Sequence, residues 1–477
     1  MTTTVGAVAT GRADVPADAL EELRAQLRGP AITPADPEYG DVRPVFNTMH
    51  EGDAAVTVCA TGTADVIDAV KFAREHDLTV AVRGGGHSVA GLSTIEGGML
   101  IDLAAMNGVE VDPEKRRAYV QGGALWGDVD RETQAHGLVA PGGVVSDTGV
   151  GGLTLGGGYG WIRRKLGLSC DHLVEAQVVC ADGQVRRASA ETNPDLYWAL
   201  RGGGGNFGIV TSFTFALQPL GPIVAFAATM YPLENAAEIM RKWRDYMAEA
   251  PDEVTSVCVT ITFPADPVMP PAVHDRPVLI VGGVYAGDSE AGLKVMQPLR
   301  ELGEVLFDMS GPTPYAAVQT GFDALFPRAA LNAYWKSQYV DDLNDEAIDV
   351  IAARAQERPA PLTMVNTFAM GGAIAAVDPE ATAFAHRSSP FMISIDGLWD
   401  DDAQTADNVA WVRGVFDDVG KFGTGGVYLN FTGLADEAPE AGVDTAFGRN
   451  LKRLAEIKAK YDPDNFFRVN NNIAPAS

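Results

Sequence analysis

Cysteine is scarce and unpatterned. The 477 residues include 4 cysteines, Cys59, Cys170, Cys180 and Cys258, and no C-x-x-C pair. That spacing argues against a zinc site and a disulfide framework, and it fits a reducing compartment, the cytoplasm. Positive charge is also short: Lys and Arg total 36 against 63 Asp and Glu, for a net charge of −27. No Lys/Arg-rich run exists, so neither nucleic acid nor an anionic membrane surface is an expected partner. No apolar run reaches membrane-spanning length. The opening MTTTVGAVATGRADVPADAL lacks both the charged n-region and the apolar h-region of a secretory signal.

Glycine, in contrast, is abundant. The chain has 52, and they cluster. The first cluster closes a strand: Thr79 to Val82 is apolar, Arg83-Gly84-Gly85-Gly86-His87-Ser88 follows, and Met99 to Leu103 reads as a second strand. Three glycines free the backbone to turn its N–H groups around an anion, with Arg83 on the strand side. The residues alone also allow a plain glycine-rich surface turn. A second cluster, Pro141 to Gly160, is too glycine-dense for a regular element. It is too apolar for a linker, because Val144, Val145, Val150, Leu153 and Leu155 ask for burial. It reads as backbone wrapped against a flat ligand, or as a glycine-rich core loop.

The length suggests two domains. Val56 to Ala60, a helix capped by Thr63, and Thr79 to Val82 make a β-α-β unit that feeds the first cluster. Glu175 to Cys180 and Gln184 to Ala188 make a hairpin around Asp182-Gly183. A boundary falls at Gln218-Pro219-Leu220-Gly221-Pro222. Beyond it, strands at Ser256 to Phe263, Val278 to Tyr285, Leu362 to Phe368 and Phe391 to Ile395 alternate with long helices. That pattern suggests an antiparallel sheet with helices on one face. Gly426 to Phe431 reads as a further strand, and the tail from Tyr461 is structured.

Five ordered blocks resemble the berberine-bridge-enzyme-like FAD-linked oxidases, with the PCMH-type FAD-binding domain of the vanillyl-alcohol-oxidase superfamily. They are VRGGGHSVAG at Val82 to Gly91, GVGGLTLGGGYGWIRRKLGLSCDHL at Gly149 to Leu173, RGGGGNFGIVTSFTF at Arg201 to Phe215, YLNF at Tyr428 to Phe431, and YDPDNFFRVNNNI at Tyr461 to Ile473. The resemblance implies an α+β fold. A PCMH-type FAD domain of two α/β subdomains would span 1–217. A substrate domain, an antiparallel sheet covered by helices, would span 218–435, and residues 436–477 would return to the FAD domain.

The resemblance also implies roles. His87 is the position that carries FAD, its imidazole bonded to the flavin 8α carbon. Arg83, Gly84, Gly85, Gly86 and Ser88 surround it. Gly142, Gly143, Thr148, Gly149, Gly151, Gly152 and Gly158 come from the second cluster. Gly208, Ile209, Val210 and Asn470 complete the cofactor set. Relatives with a second, cysteinyl link carry that cysteine four residues before Gly149. Val145 stands there, so a single link is expected, and Cys170 reads as a small buried hydrophobe. Thr148, a small side chain near the reactive flavin carbon, leans toward oxygen as acceptor. Aspartate and glutamate are unwelcome beside a reduced flavin.

The implied activity is hydride transfer from a CH–OH or CH–NH carbon of a small organic molecule to flavin N5. Its rivals are a dehydrogenase of the same fold with another acceptor, and a non-catalytic flavin-binding module. Tyr-x-Asn-Tyr of many relatives reads Tyr428-Leu429-Asn430-Phe431 here. Phe431 takes no proton, so Tyr428 is the candidate base, on a strand face shared with Asn430. Tyr339, His386 and Lys336 are the alternatives. No metal is expected.

Overall fold

The computed structural model describes residues 15–50, 52–265, 267, 269–433 and 439–477. Most of the stretch read for a leader, and the expected boundary after residue 435, lie outside them.

Strands β1 (Ala31–Ile32), β2 (Val56–Cys59), β3 (Val80–Arg83) and β4 (Met99–Asp102) form a sheet in the order β1-β2-β4-β3. β2 and β3 both run parallel to β4 between them. The helix Thr63–Glu75 makes the crossover and buries Val66, Ala69, Val70 and Ala73. These pack on Val56, Val58, Val80, Met99 and Ile101, a continuous aliphatic core. Such runs are what a buried parallel sheet requires. Thr63 is the first helical residue and Gly62 the N-cap. The Thr63 hydroxyl donates instead to Gln177 Oε1 at 3.0 Å.

Next come β5 (Val109–Asp112), β6 (Arg117–Gln121), β7 (Leu138–Val139), β8 (Leu173–Val179), β9 (Val185–Ser189), β10 (Ile209–Ala216) and β11 (Gln218–Pro219). A five-stranded sheet runs β5-β6-β10-β8-β9, and β7 pairs with β11. Its pairings are antiparallel. The expected hairpin at Asp182-Gly183 joins β8 to β9.

The third sheet contains β12 (Ile223–Pro232), β13 (Val254–Phe263), β14 (Arg276–Tyr285), β15 (Phe307–Asp308), β16 (Gly311–Pro314), β17 (Asn332–Val340), β18 (Met364–Ala369) and β19 (Phe391–Trp399). The order is β15-β12-β14-β13-β18-β19-β17, with β16 on β12. It is antiparallel, and helices Ala236–Glu249, Asp345–Gln356 and Thr405–Gly420 cover one face. The α+β class and the helix-covered sheet are therefore as expected. β12 and β17 carry no alternation legible in sequence, because both of their faces are buried.

Alternation sorts the faces. Val365, Ala369, Ile393 and Ile395 face the helices. Met364, Phe368 and Met392 face the other way, toward the first two sheets. Arg163 bridges the two halves from inside: it donates to the carbonyls of Gly160 (2.9 Å), Ser256 (2.8 Å) and Ala369 (2.9 Å). Among the described residues it has no acidic partner, and burial lowers its pKa to about 9.

Two expectations change. The Pro141 to Gly160 region does hold a regular element, the short helix Val150–Leu155. The helix can pass through a glycine pair because neighbours bury Val150, Thr154 and Leu155. Gly426 to Phe431 is not a strand: Leu429–Phe431 is a 3₁₀ turn, closed by the Phe431 N–H on the Tyr428 carbonyl at 2.9 Å. Among the described residues, no helix is long and apolar enough to cross a membrane.

Candidate active site

A cleft of about 2110 Å³ of empty space, its open mouth included, lies between the glycine-rich segments and the uncovered face of the third sheet. Its two walls differ in kind.

The first wall is backbone. Gly84, Gly85, Gly86, His87 and Ser88 line it, as do Val145, Thr148, Gly149, Gly151 and Gly152. Gly208, Ile209, Val210 and Asn470 close its far end. The two main clusters touch directly: a Cβ on Gly85 would run into Gly149 N and Cα. Only glycine at both positions lets the chains approach this closely. Gly152 and Gly205 differ. A Cβ on either meets nothing within 4 Å, so both open onto the cleft. Ser93 Oγ and Asn470 Oδ1 line the same space, buried and without a partner among the described residues. An open glycine cradle with orphaned polar atoms fits the phosphates and ribose of a dinucleotide such as FAD.

His87 sits on this wall. Its ring stacks on Phe46 at 4.1 Å and 13°. Its Nε2 lies 3.1 Å from Asp147 Oδ1, close but not aligned as a hydrogen bond. Arg328 donates to the Asp147 carbonyl at 2.8 Å and to the Gly85 carbonyl, tying both glycine loops together. Burial pushes the Asp147 carboxyl up, but His87 and Arg328 outweigh it and hold the group below its ordinary value.

The C-terminal tail is pinned by a buried ion pair. Lys458 Nζ meets Asp462 Oδ2 at 2.6 Å and donates to the carbonyls of Asn206 (2.7 Å) and Phe467 (2.9 Å). Asn206 in turn donates to the Asn471 carbonyl at 3.0 Å. This clamp seats Asn470 against Gly205.

The second wall is side chain. Val257, Val259, Trp335, Met364, Phe368 and Phe431 supply apolar surface. Asp396 is the only carboxylate lining the cleft among the described residues. It is 3% exposed. Asn366 Nδ2 donates to its Oδ2 at 2.6 Å, and the Ser394 hydroxyl donates to its Oδ1. Burial outweighs both bonds and raises its pKa to about 7. The expectation that carboxylates avoid this space is thus corrected. A carboxyl poised near neutrality carries only part of a charge there. Nothing local in FMISIDGLW marks Asp396; only the β18–β19 register brings Asn366 beside it.

Other expected residues fall elsewhere. Arg83 does not line the cleft: it pairs with buried Asp102 at 2.7 Å, behind the cradle, where the carboxylate compensates its charge. Gly142, Gly143 and Gly158 also lie off the lining. Their missing side chains make room for Trp126 and for Leu153, on Gly143 and Gly158 alike. Tyr428 does line the cleft, and its hydroxyl accepts from Asn430 Nδ2 at 2.8 Å. The two meet through the 3₁₀ turn, not a shared strand face. For the same reason Phe431 is not on an opposite face: its ring packs on Tyr428 at 5.2 Å and 79°. Burial raises the Tyr428 pKa strongly, against hydrogen bonds from Asn430 and from the backbone of Gly158 and Tyr159. That phenol is a poor proton acceptor.

The alternative bases are remote. Lys336 points to the helix side, its Nζ 4.9 Å from the Phe416 ring centre. His386 Nε2 lies 2.7 Å from the Thr445 carbonyl, and its ring stacks on buried Tyr339. None of the four cysteines lines the cleft. No cluster of metal ligands occurs among the described residues.

Residues 54–189 match the family described as FAD binding domain, and residues 427–474 match the one described as berberine and berberine like. An uncharacterised FAD-linked oxidoreductase of Bacillus subtilis (strain 168) is 31% identical over 95% of this chain and 98% of its own. A monolignol oxidoreductase of Arabidopsis thaliana is 31% identical over 85% of this chain and 81% of its own. The fold is shared with a solved chitooligosaccharide oxidase, at a TM-score of 0.85 and 23% identity over 96% of this chain and 100% of that one.

Proposed function

The chain belongs to the berberine-bridge-enzyme-like FAD-linked oxidoreductases, and on that premise we propose that it oxidises a CH–OH or CH–NH carbon of a small molecule with Asp396 as general base. Residues up to about 217 and the tail from 436 hold FAD, and residues 218–435 take the substrate. FAD held there would supply the two-electron acceptor for the hydride, with oxygen as the terminal acceptor.

His87 carries the cofactor through a single bond. Support comes from its place on the cleft wall, from Asp147 at 3.1 Å, and from the absence of any cysteine in the lining among the described residues. Val145 occupies the position where a second link would need a thiol. The Asp147 carboxylate, held ionised by His87 and Arg328, sits beside the imidazole and steadies its orientation electrostatically. Thr148 at the lining leaves room for oxygen.

Asp396 is the observation that carries the reading. A base works best with a pKa near the working pH. The buried carboxyl has a value of about 7, and Asn366 and Ser394 hold its two oxygens in place. As carboxylate it takes the hydroxyl or amine proton as the C–H bond breaks. Tyr428 stays protonated and keeps the turn in register through Asn430. The apolar wall excludes water and strengthens every polar contact inside.

Anaerobic reduction of the flavin by substrate tests this. The rate in the native protein should rise with pH through about 7, because the carboxylate form is the active one. Asp396→Asn should slow reduction by roughly 10²–10⁴-fold and abolish that rise, with the flavin spectrum intact. An unchanged rate and pH profile would exclude Asp396 as the base. Reduced enzyme mixed with air should reoxidise within seconds; persistent reduction would remove oxygen as acceptor.

A further inference from the structure

We infer that the substrate is a planar aromatic molecule bearing one oxidisable CH–OH or CH–NH, which rests on the reading of the cleft as an oxidation site. The argument starts from what the sheet wall offers a guest. Its polar atoms are few and gathered in one place. Trp335 and Asp396 are direct cross-strand partners, and so are Met364 and Asp396. Asn366 is one diagonal step away and bonded to Asp396. The Trp335 indole N–H and Asn366 Oδ1 have no partner among the described residues. Both side chains are about nineteen-twentieths buried, at 5% and 4% exposure. One donor, one acceptor and one carboxyl are therefore gathered in a single buried patch of the lining.

The rest of the wall is apolar. Val257, Val259, Phe326, Met364 and Phe368 surround the patch, and no Lys or Arg lines the cleft among the described residues. A phosphate or carboxylate on the guest would be desolvated with no cation to meet it. A disaccharide fares no better. Each of its hydroxyls taken from water and left unpaired carries a desolvation penalty, and the patch can satisfy only one small group.

An aromatic ring suits this wall. Trp335 meets Phe326 edge-on at 6.0 Å and 81°, and Phe431 at 5.3 Å and 88°. On the other side Trp161 stacks on Phe322 at 5.0 Å and 24°. Rings in both orientations offer the edges and faces that a third ring packs against. Phe431 adds a ring without a hydroxyl to the wall.

The chemistry agrees with the geometry. Hydride leaves the carbon with its electron pair and reduces the flavin. The O–H or N–H proton passes to Asp396, and a C=O or C=N bond forms. An adjacent π-system delocalises the positive charge that develops on that carbon. It lowers the demand on a base whose pKa is near neutrality. Oxygen would then take the two electrons together with two protons, one carried over with the hydride and one returned by Asp396, and leave as hydrogen peroxide.

The holoenzyme can be challenged anaerobically with benzylic and cinnamyl alcohols, a benzylic amine, cellobiose and N,N′-diacetylchitobiose, each at about 1 mM. At least one aromatic should bleach the flavin on the order of 100-fold faster than either sugar. Equal or faster bleaching by a sugar overturns the inference, while Asp396-dependent sugar oxidation would leave the proposed reaction standing. Aromatics that perturb the flavin spectrum at micromolar levels without bleaching it would support the slot and sink the reaction. If no aromatic either binds or bleaches, the inference fails. Phe326→Ala should weaken aromatic binding about tenfold; unchanged binding counts against the slot.

Discussion

The two walls of the cleft are built from different material. One is main chain bared by glycine and held by turns, from Gly84 to Gly86 and Gly149 to Gly152. The other is side chain projecting from strands, with Trp335, Asn366 and Asp396 brought together by register. A backbone wall can bind what many relatives share, a cofactor. A side-chain wall can be rewritten residue by residue and so can suit one substrate. The backbone half is thus held by positions that tolerate nothing larger, such as Gly85 against Gly149. The side-chain half is held by packing that accepts other residues of similar volume.

That contrast can be broken experimentally. The largest effect expected is at His87. His87→Ala should abolish acid-stable flavin altogether, read as loss of yellow colour in the acid precipitate, while noncovalent FAD still binds the glycine wall. Acid-stable flavin in this variant would place the tether elsewhere. Next is the tail clamp. Lys458→Met leaves Asp462 buried and unpaired, and should cost about 3–5 kcal/mol in denaturant unfolding at neutral pH. Lys458→Met with Asp462→Asn should recover much of that. Burial and Asp462 oppose each other at Lys458, and burial wins, so its pKa is lowered. Net stability should therefore rise, not fall, as pH climbs from that lowered value toward the ordinary lysine range, where the unfolded chain still holds the proton and the folded one does not. The smallest effect is at Gly152. In the His87→Ala background, where FAD exchanges, Gly152→Ala should not lower the melting temperature of the flavin-free protein, because its methyl meets no atom outside its own helix and alanine favours the helix. FAD affinity should fall about tenfold, or about 1.4 kcal/mol. Unaltered affinity would mean that the cradle faces something other than the cofactor.

Much of the fold was legible. The β2–helix–β3 unit follows from aliphatic runs and a 3.6-residue periodicity, and the β8–β9 hairpin follows from Asp182-Gly183. What misled was local pattern overruled by contact. YLNF has the spacing of a strand but closes a 3₁₀ turn, since Tyr428 and Phe431 pack against each other and Tyr159. Lys336 and Trp335 are adjacent in sequence, yet the pleat sends Lys336 to the helices and Trp335 to the cleft. A lysine draws the eye in a sequence, while a tryptophan passes as core.

By itself, the amino-acid sequence determined the glycine loops, His87 at their lip, the missing thiol at Val145 and the missing hydroxyl at Phe431. Each is a property of one residue or one turn, and turn geometry depends on near neighbours alone. Tertiary structure decided the rest. Arg83 is paired with Asp102, and burial raises the Tyr428 pKa against the donors near its hydroxyl. Asp396 gains a pKa of about 7. The physical reason is common to all three. Charge state and reactivity follow from burial and from partners far along the chain, and only the packed sheet supplies either.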